Sequence, residues 1–302
     1  MPLARSTYLP LFLCTALIIL IYFMNFDDRP DSKSPRSEVV VPKRSKVEYF
    51  EKWHGNAVAK FSKIKDYKEF WNSFARITNE LDISSNIKQM GIISLQNTDE
   101  MKYAILPKKI SPNPSVLITL GVGNDIASEK LLKQRMEKEG RNITFYGADP
   151  IVVPNEKLYQ QIGTFFPFAV GGDAGFGTAS VLENGGYANK NVAYIDILYF
   201  VDKVLKTKII DFLWLDAEYA EYNMFDIFYR NGRFDQKNIS FCQMSLEVHN
   251  PSEPQKQQFM VFINQLIADK RFGFFYNANV GHMRMWLFNF ESDYCIEKFL
   301  VV

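Results

Sequence analysis

Two glycines, Gly121 and Gly123, follow the apolar run Val116–Leu120 and precede a helical stretch starting near Ile126. Glycine permits a tight turn and lets the backbone approach a ligand where a Cβ would intrude. The next apolar run, Ile143–Ala148, ends at Asp149, a carboxylate placed to accept from both hydroxyls of a ribose. Asp125 closes the glycine-bearing loop, and Asp173 follows Gly171 and Gly172. Ile209–Leu215 runs into Asp216, Ala217 and Glu218, with Glu221 beyond; Ile239–Leu246 runs into Glu247 and His249. Phe272–Tyr276 is followed by Asn277, Asn279 and His282. Asp216, Glu218 and His249 are candidate general bases. Each residue also has a plainer role: a strand-to-helix turn for the glycines, helix capping for Asp216 and Glu218, and a turn before Asn250-Pro251 for His249. His282 and Arg284 suit either an anionic acceptor or an ordinary surface loop. The set outweighs its members because polar residues follow six apolar runs alike, and open α/β sheets bind ligands beyond the carboxyl ends of their strands. Ile126 stands where G-x-G-x-x-G requires its third glycine, which argues against a dinucleotide. No metal-ligand set is expected from this pattern.

The positioning elements follow from periodicity. Val116–Leu120, Ile143–Ala148, Phe165–Val170, Ile209–Leu215 and Ile239–Leu246 are short apolar runs of the kind buried on both faces of a parallel sheet, and Val192–Leu198 is a further β-like segment. Ile126–Glu139 and Gln255–Lys270 read as helices between them. Phe272–Tyr276 and Met283–Phe290 read as an antiparallel pair closing around Gly281. Ahead of these, Tyr67, Phe70, Trp71, Phe74, Ile77 and Leu81 share one helical face, so residues 47–115 are expected to hold a helical cap. Residues 82–115 show no clear pattern. Alternating strands and helices predict an α/β sheet with covered faces over residues 116–302.

The runs VLITLGVGND, YGADP, FAVGGD, DFLWLDAEYAE and SLEVH together resemble the FkbM-type methyltransferases. The most specific stretch is Trp214 to Glu221, similar to the family pattern K-[IV]-D-V-E-G-x-E. The resemblance implies a Rossmann-like methyltransferase sheet of about seven strands, the last antiparallel, with helices on both faces. It implies S-adenosylmethionine as cofactor, with Gly121, Gly123 and Asp125 lining its loop, Asp149 at the ribose and Asp173 near the adenine. Asp216 and Glu218 would face the reacting centre. The chain departs from the pattern at Thr119, where an acid is usual, and at Trp214 and Tyr219, where the family has Lys and Gly. Expected activity is methyl transfer to a hydroxyl, of a glycan or other acceptor. Two readings stand beside it: a type II glycosyltransferase using Asp216 and Glu218 as a metal motif, and a non-catalytic binding protein that kept the fold.

The 302 residues carry a net charge of +1, without the basic stripe of a nucleic-acid binder. Leu9–Phe26 is uncharged and apolar, about 27 Å long as a helix, enough to span a bilayer. Residues 1–26 are expected to be an uncleaved signal anchor, a cleaved signal peptide being the rival, and residues 27–46 a Pro- and Ser-rich stem. Sequons at Asn142 and Asn238, and the even pair Cys242 and Cys295, suit a type II protein of the secretory pathway with a lumenal domain.

Overall fold

A computed structural model describes residues 47–183 and 186–301. It opens with α1 (Glu48–Phe61) and α2 (Tyr67–Ser85). In α2 the apolar face predicted from spacing is the buried one. Asp66 caps its start by accepting from the Glu69 N–H, and Asn86, in the left-handed region, ends it. Next comes an antiparallel hairpin of β1 (Ile93–Gln96) and β2 (Met101–Ala104). The α/β part follows: β3 (Ser115–Leu120), α3 (Ala127–Lys138), β4 (Ile143–Ala148), the short α4 (Asn155–Tyr159), β5 (Thr164–Phe166) and β6 (Ala169–Gly171). After β7 (Gly175–Glu183), β8 (Gly186–Asp196) and the turn α5 (Ile197–Tyr199) come β9 (Ile209–Leu215) and a 3-10 stretch, Ala220–Phe228. The chain ends with β10 (Ser240–Val248), α6 (Glu253–Asp269), β11 (Phe272–Asn279), β12 (Met283–Asn289) and α7 (Asp293–Phe299).

The main sheet has seven strands in the order β11-β12-β10-β9-β3-β4-β5. β12, the last in sequence, is antiparallel to both neighbours, and the remaining pairs are parallel. This is the mixed α/β sheet that alternation and family resemblance both predict. β3 and β9 are buried along almost their whole length, so their uninterrupted apolar composition matches their central place. The loops following β3, β4, β9 and β10 therefore gather at one end of the sheet.

Two expectations need correction. Phe165–Val170 is not one strand. The chain breaks at Pro167, which has no N–H to give a ladder. β5 joins the main sheet, while β6 joins a separate three-stranded sheet, β6-β8-β7. Val192–Leu198 is likewise divided: β8 ends at Asp196, whose carboxylate accepts from the Tyr199 N–H and starts a helical turn.

α1 and α2 lie with α6 against β11. Trp53 stands edge-on to Phe274 and Phe275, with ring centroids 4.7 and 5.2 Å away. The apolar core is continuous from Phe50 to Phe299, so the cap and the sheet share it. Cys242 on β10 and Cys295 on α7 form a disulfide. No helix among the described residues is long and apolar enough to cross a membrane. The expected anchor and stem, 1–26 and 27–46, lie outside the described residues.

Candidate active site

A cavity of about 390 Å³ opens at the carboxyl end of the sheet. That falls within the roughly 300–1,000 Å³ of small-molecule sites. The glycine loop after β3 forms its floor. Gly121 has φ +89°, and a Cβ there would lie 1.9 Å from the Asp216 carbonyl oxygen. Glycine is required because the loop crosses the end of β9 at contact distance. Gly123, at φ +63°, faces open space. Asp149 holds this loop: its Oδ2 accepts from the Val122 and Gly123 N–H groups at 2.9 and 3.2 Å, and its Oδ1 from Ile151 at 2.7 Å. Burial raises the Asp149 pKa despite those three donors. Asp125 lines the cavity but also works structurally. It accepts from the Ala127 N–H at the start of α3 and from the Thr98 N–H and hydroxyl at the hairpin tip.

The hairpin roofs the cavity. Asn97, Thr98, Asp99, Glu100 and Lys102 all line it. Lys102 is buried, pairs with Glu100 and lies over the Trp214 ring, 5.5 Å from its centroid. Burial would lower its pKa, but Glu100 and Asp216 outweigh that and raise it. Across the cavity, Thr119 donates to Glu129 Oε1 at 3.0 Å and accepts from the Tyr159 hydroxyl at 3.1 Å. Glu129 is buried, and its Oε2 has no hydrogen-bond partner. Burial pushes its pKa up to about 7, against the pull of Lys102. The remaining wall comes from the three-stranded sheet, through Ala169, Val170, Ala179, Val181 and Tyr194.

At the β9 end, Asp216, Glu218 and His249 converge. His249 Nε2 lies 3.3 Å from Asp216 Oδ1, 3.4 Å from Glu218 Oε2 and 3.7 Å from Glu247 Oε1. Glu218 and Tyr219 have φ of +44° and +77°. Left-handed backbone costs a non-glycine residue about 1–2 kcal/mol, and here it turns the Glu218 carboxylate back towards His249. Burial disfavours the His249 imidazolium, but the neighbouring Asp216 and Glu221 carboxylates lift its pKa to about 11. Asp216 is held below its usual range, its burial offset by His249, Lys102 and Arg284.

A methyltransferase sheet, a glycine loop at the end of β3 and carboxylates at the end of β9 are now in place. The family model of the methyltransferase FkbM domain matches residues 67–294. The chain belongs to the FkbM methyltransferase family. No curated protein and no solved structure matches the chain. Membership makes this protein a methyltransferase.

Within this FkbM domain, the cavity brings together Gly121, Gly123, Asp125, Asp149, Asp216 and Glu218. Asp173 does not line it. It is exposed in a separate depression with Gly171, Phe176 and Tyr219, because the break at Pro167 carries its loop off the main sheet. His282 Nε2 lies 2.8 Å from Glu247 Oε1. Arg284 is engaged by Glu247 and by the Asp99 carbonyl and carboxylate. Asn277 is buried and donates to the Phe274 carbonyl, while Asn279 accepts from Gly281 in the turn. The residues missing from the sequence reading are Glu129, Lys102 and the hairpin tip. Ile93-Ser94-Leu95-Gln96 and Met101-Lys102-Tyr103-Ala104 do alternate across an Asn97-Thr98-Asp99 turn, a recognisable hairpin signal.

Proposed function

We propose that this FkbM methyltransferase uses S-adenosylmethionine to methylate a hydroxyl group of a glycan or other small acceptor. The carrying observation is one cavity that spans the glycine loop, Asp149 and Glu129 at one side and the Asp216–Glu218 end of β9 at the other. The cofactor fits what the residues offer. Gly123 leaves room, Asp149 lines the cavity beside it, and the partnerless Glu129 Oε2 presents an acceptor to a cationic group. S-adenosylmethionine, when bound, supplies an activated methyl group on a sulfonium centre. The protein's work is then to place the acceptor oxygen in line and to remove its proton. Asp216 and Glu218 line the cavity end for that proton, with His249 Nε2 within 3.4 Å of both. The three-stranded wall and hairpin roof limit water around the reacting atoms.

Calorimetric titration with S-adenosylmethionine tests this reading. Micromolar binding is expected, weakened at least about tenfold in Asp149→Ala, which loses both a ribose partner and the tether of the glycine loop. Absence of binding by the folded wild-type chain would overturn the choice of cofactor.

We also infer a type II membrane protein of the secretory pathway. The apolar stretch before the stem, the Cys242–Cys295 disulfide and the exposed positions of the sequon residues Asn142 and Asn238 support that placement. Endoglycosidase sensitivity of the expressed chain checks it; an unmodified, cytosol-facing domain would refute it.

A further inference from the structure

His249 is held from behind by a second carboxylate. Glu221, fully buried in the first turn of the 3-10 stretch, accepts from the His249 backbone N–H at 2.6 Å. The same Oε1 lies 3.1 Å from Nδ1. An ionised carboxylate only accepts, so Nδ1 carries the hydrogen and Nε2 faces the opposite side. On that side stand Asp216 Oδ1, Glu218 Oε2 and Glu247 Oε1, at 3.3, 3.4 and 3.7 Å. Asp216 Oδ1 is buried, with no hydrogen-bond donor aligned on it. Nε2 ringed by acceptor oxygens requires positive charge between, supplied either by its own proton or by a bound metal ion. The nearby side-chain cations are engaged elsewhere: Arg284 with Asp99 and the far oxygen of Glu247, Lys102 with Glu100.

The spacing points to the missing charge. Donor atoms about 2.1 Å from a first-row divalent ion lie about 3.0 Å apart on an octahedral edge and about 3.4 Å on a tetrahedral one. One donor atom each from Asp216, Glu247 and His249 lie within 4.8 Å of one another. They come from the ends of adjacent parallel strands, β9 and β10, so the sheet itself sets their separation.

We propose that Asp216, Glu247 and His249 bind a divalent transition-metal ion, with Glu221 orienting His249 and with Glu218 and His282 at its edge. Imidazole with carboxylate oxygens suits Mn2+, Fe2+ or Zn2+. A carboxylate behind a ligating histidine fixes its tautomer and strengthens it as a donor, which is the position of Glu221. Resting on the function proposed above, the ion also defines the acceptor class: a hydroxyl compound that coordinates metal through that oxygen. Coordination lowers the hydroxyl pKa. The O–H bond then breaks with its electron pair left on oxygen and its proton passed to Glu218, since His249 Nε2 is occupied by the ion.

The test is a titration of the full-length chain with Mn2+ at neutral pH, reading free Mn2+ by electron paramagnetic resonance, with Zn2+ as competitor. One ion per chain is expected, displaced by Zn2+. Glu247→Gln and Asp216→Asn should each weaken it at least about tenfold, and Glu221→Gln by about 10–100-fold, in chains whose circular dichroism is unchanged. If one variant does not fold, the others decide. No stoichiometric site in the wild type, or one indifferent to all three substitutions, overturns the proposal and leaves a proton as the charge on His249. Calorimetry with S-adenosylmethionine on the same samples separates the two readings. Cofactor binding without an ion site sinks this proposal alone; an ion site without cofactor binding upholds it and sinks the cofactor assignment.

Discussion

Two residues that depart from the FkbM pattern are answered by charged neighbours on other elements. Thr119 leaves the floor of the cavity without its usual acid, and Glu129, one helix later, places a carboxylate against the Thr119 hydroxyl. Trp214 stands where the family has Lys, and Lys102 from the hairpin brings an ammonium over the Trp214 ring. Glu129 also makes stability depend on pH. Its folded pKa of about 7 exceeds the ordinary value of 4.5, so in that interval the folded state holds a proton the unfolded chain lacks. The group's contribution is therefore full below the unfolded value and is lost as pH rises through 7. The largest loss, of order 3 kcal/mol, falls near pH 8. Glu129→Gln keeps the acceptor for Thr119 and cannot ionise. Scanning calorimetry should show it melting above wild type near pH 8, with the gap closing towards pH 5. An equal gap at every pH would show that Glu129 does not titrate in this range.

At the scale of elements, a buried amide ties the base of the cavity's roof to the sheet. Gln243 on β10 accepts from the Ile105 N–H at 2.7 Å and donates to the Ile105 carbonyl at 2.8 Å. It thereby pairs the chain leaving β2 to the central sheet, as another strand would. Gln243→Ala strands two buried backbone groups and should cost about 2–4 kcal/mol, read as a lower urea midpoint at unchanged slope. A loss under about 0.5 kcal/mol would mean that the hairpin is held from its tip alone, through Asp125 and Arg284. The opposite wall has its own clamp. Arg233 joins Asp226, Asp196 and the Gly172 carbonyl, tying the three-stranded sheet to the 3-10 stretch that carries Glu221. Roof and wall thus reach the His249 cluster through different contacts.

For the whole molecule, the helical cap is part of the core. Trp53 has no exposed surface, donates to Asp82 Oδ1 at 3.1 Å, and packs on β11. Asp82 also accepts from the Tyr276 N–H at the bulge in β11, so one carboxylate joins α1, α2 and the sheet. Trp53→Ala should cost about 3–5 kcal/mol and leave Asp82 short of a donor. The expected result is one cooperative unfolding transition shifted to lower denaturant. Two separate transitions would mean that the cap melts independently of the sheet.

Local pattern alone determined much of this protein. Apolar runs such as Ile209–Leu215 have the length and composition of buried central strands. The glycines and acids just beyond them then had to fall at one end of a parallel sheet, where Gly121, Asp149, Asp216 and His249 are found. These properties follow from periods of two and 3.6 residues and from the direction of parallel strands, both legible along the chain. Tertiary structure decided what periodicity does not encode. Asp173 left the cavity because Pro167 divided a run that reads as one strand. Glu129 and Lys102 entered it because burial on opposing elements, not proximity in sequence, set their neighbours. His249 drew its partners from β9, the 3-10 stretch and β10 together. A charged side chain's role depends on the field and the desolvation it meets, and both are properties of the packed fold.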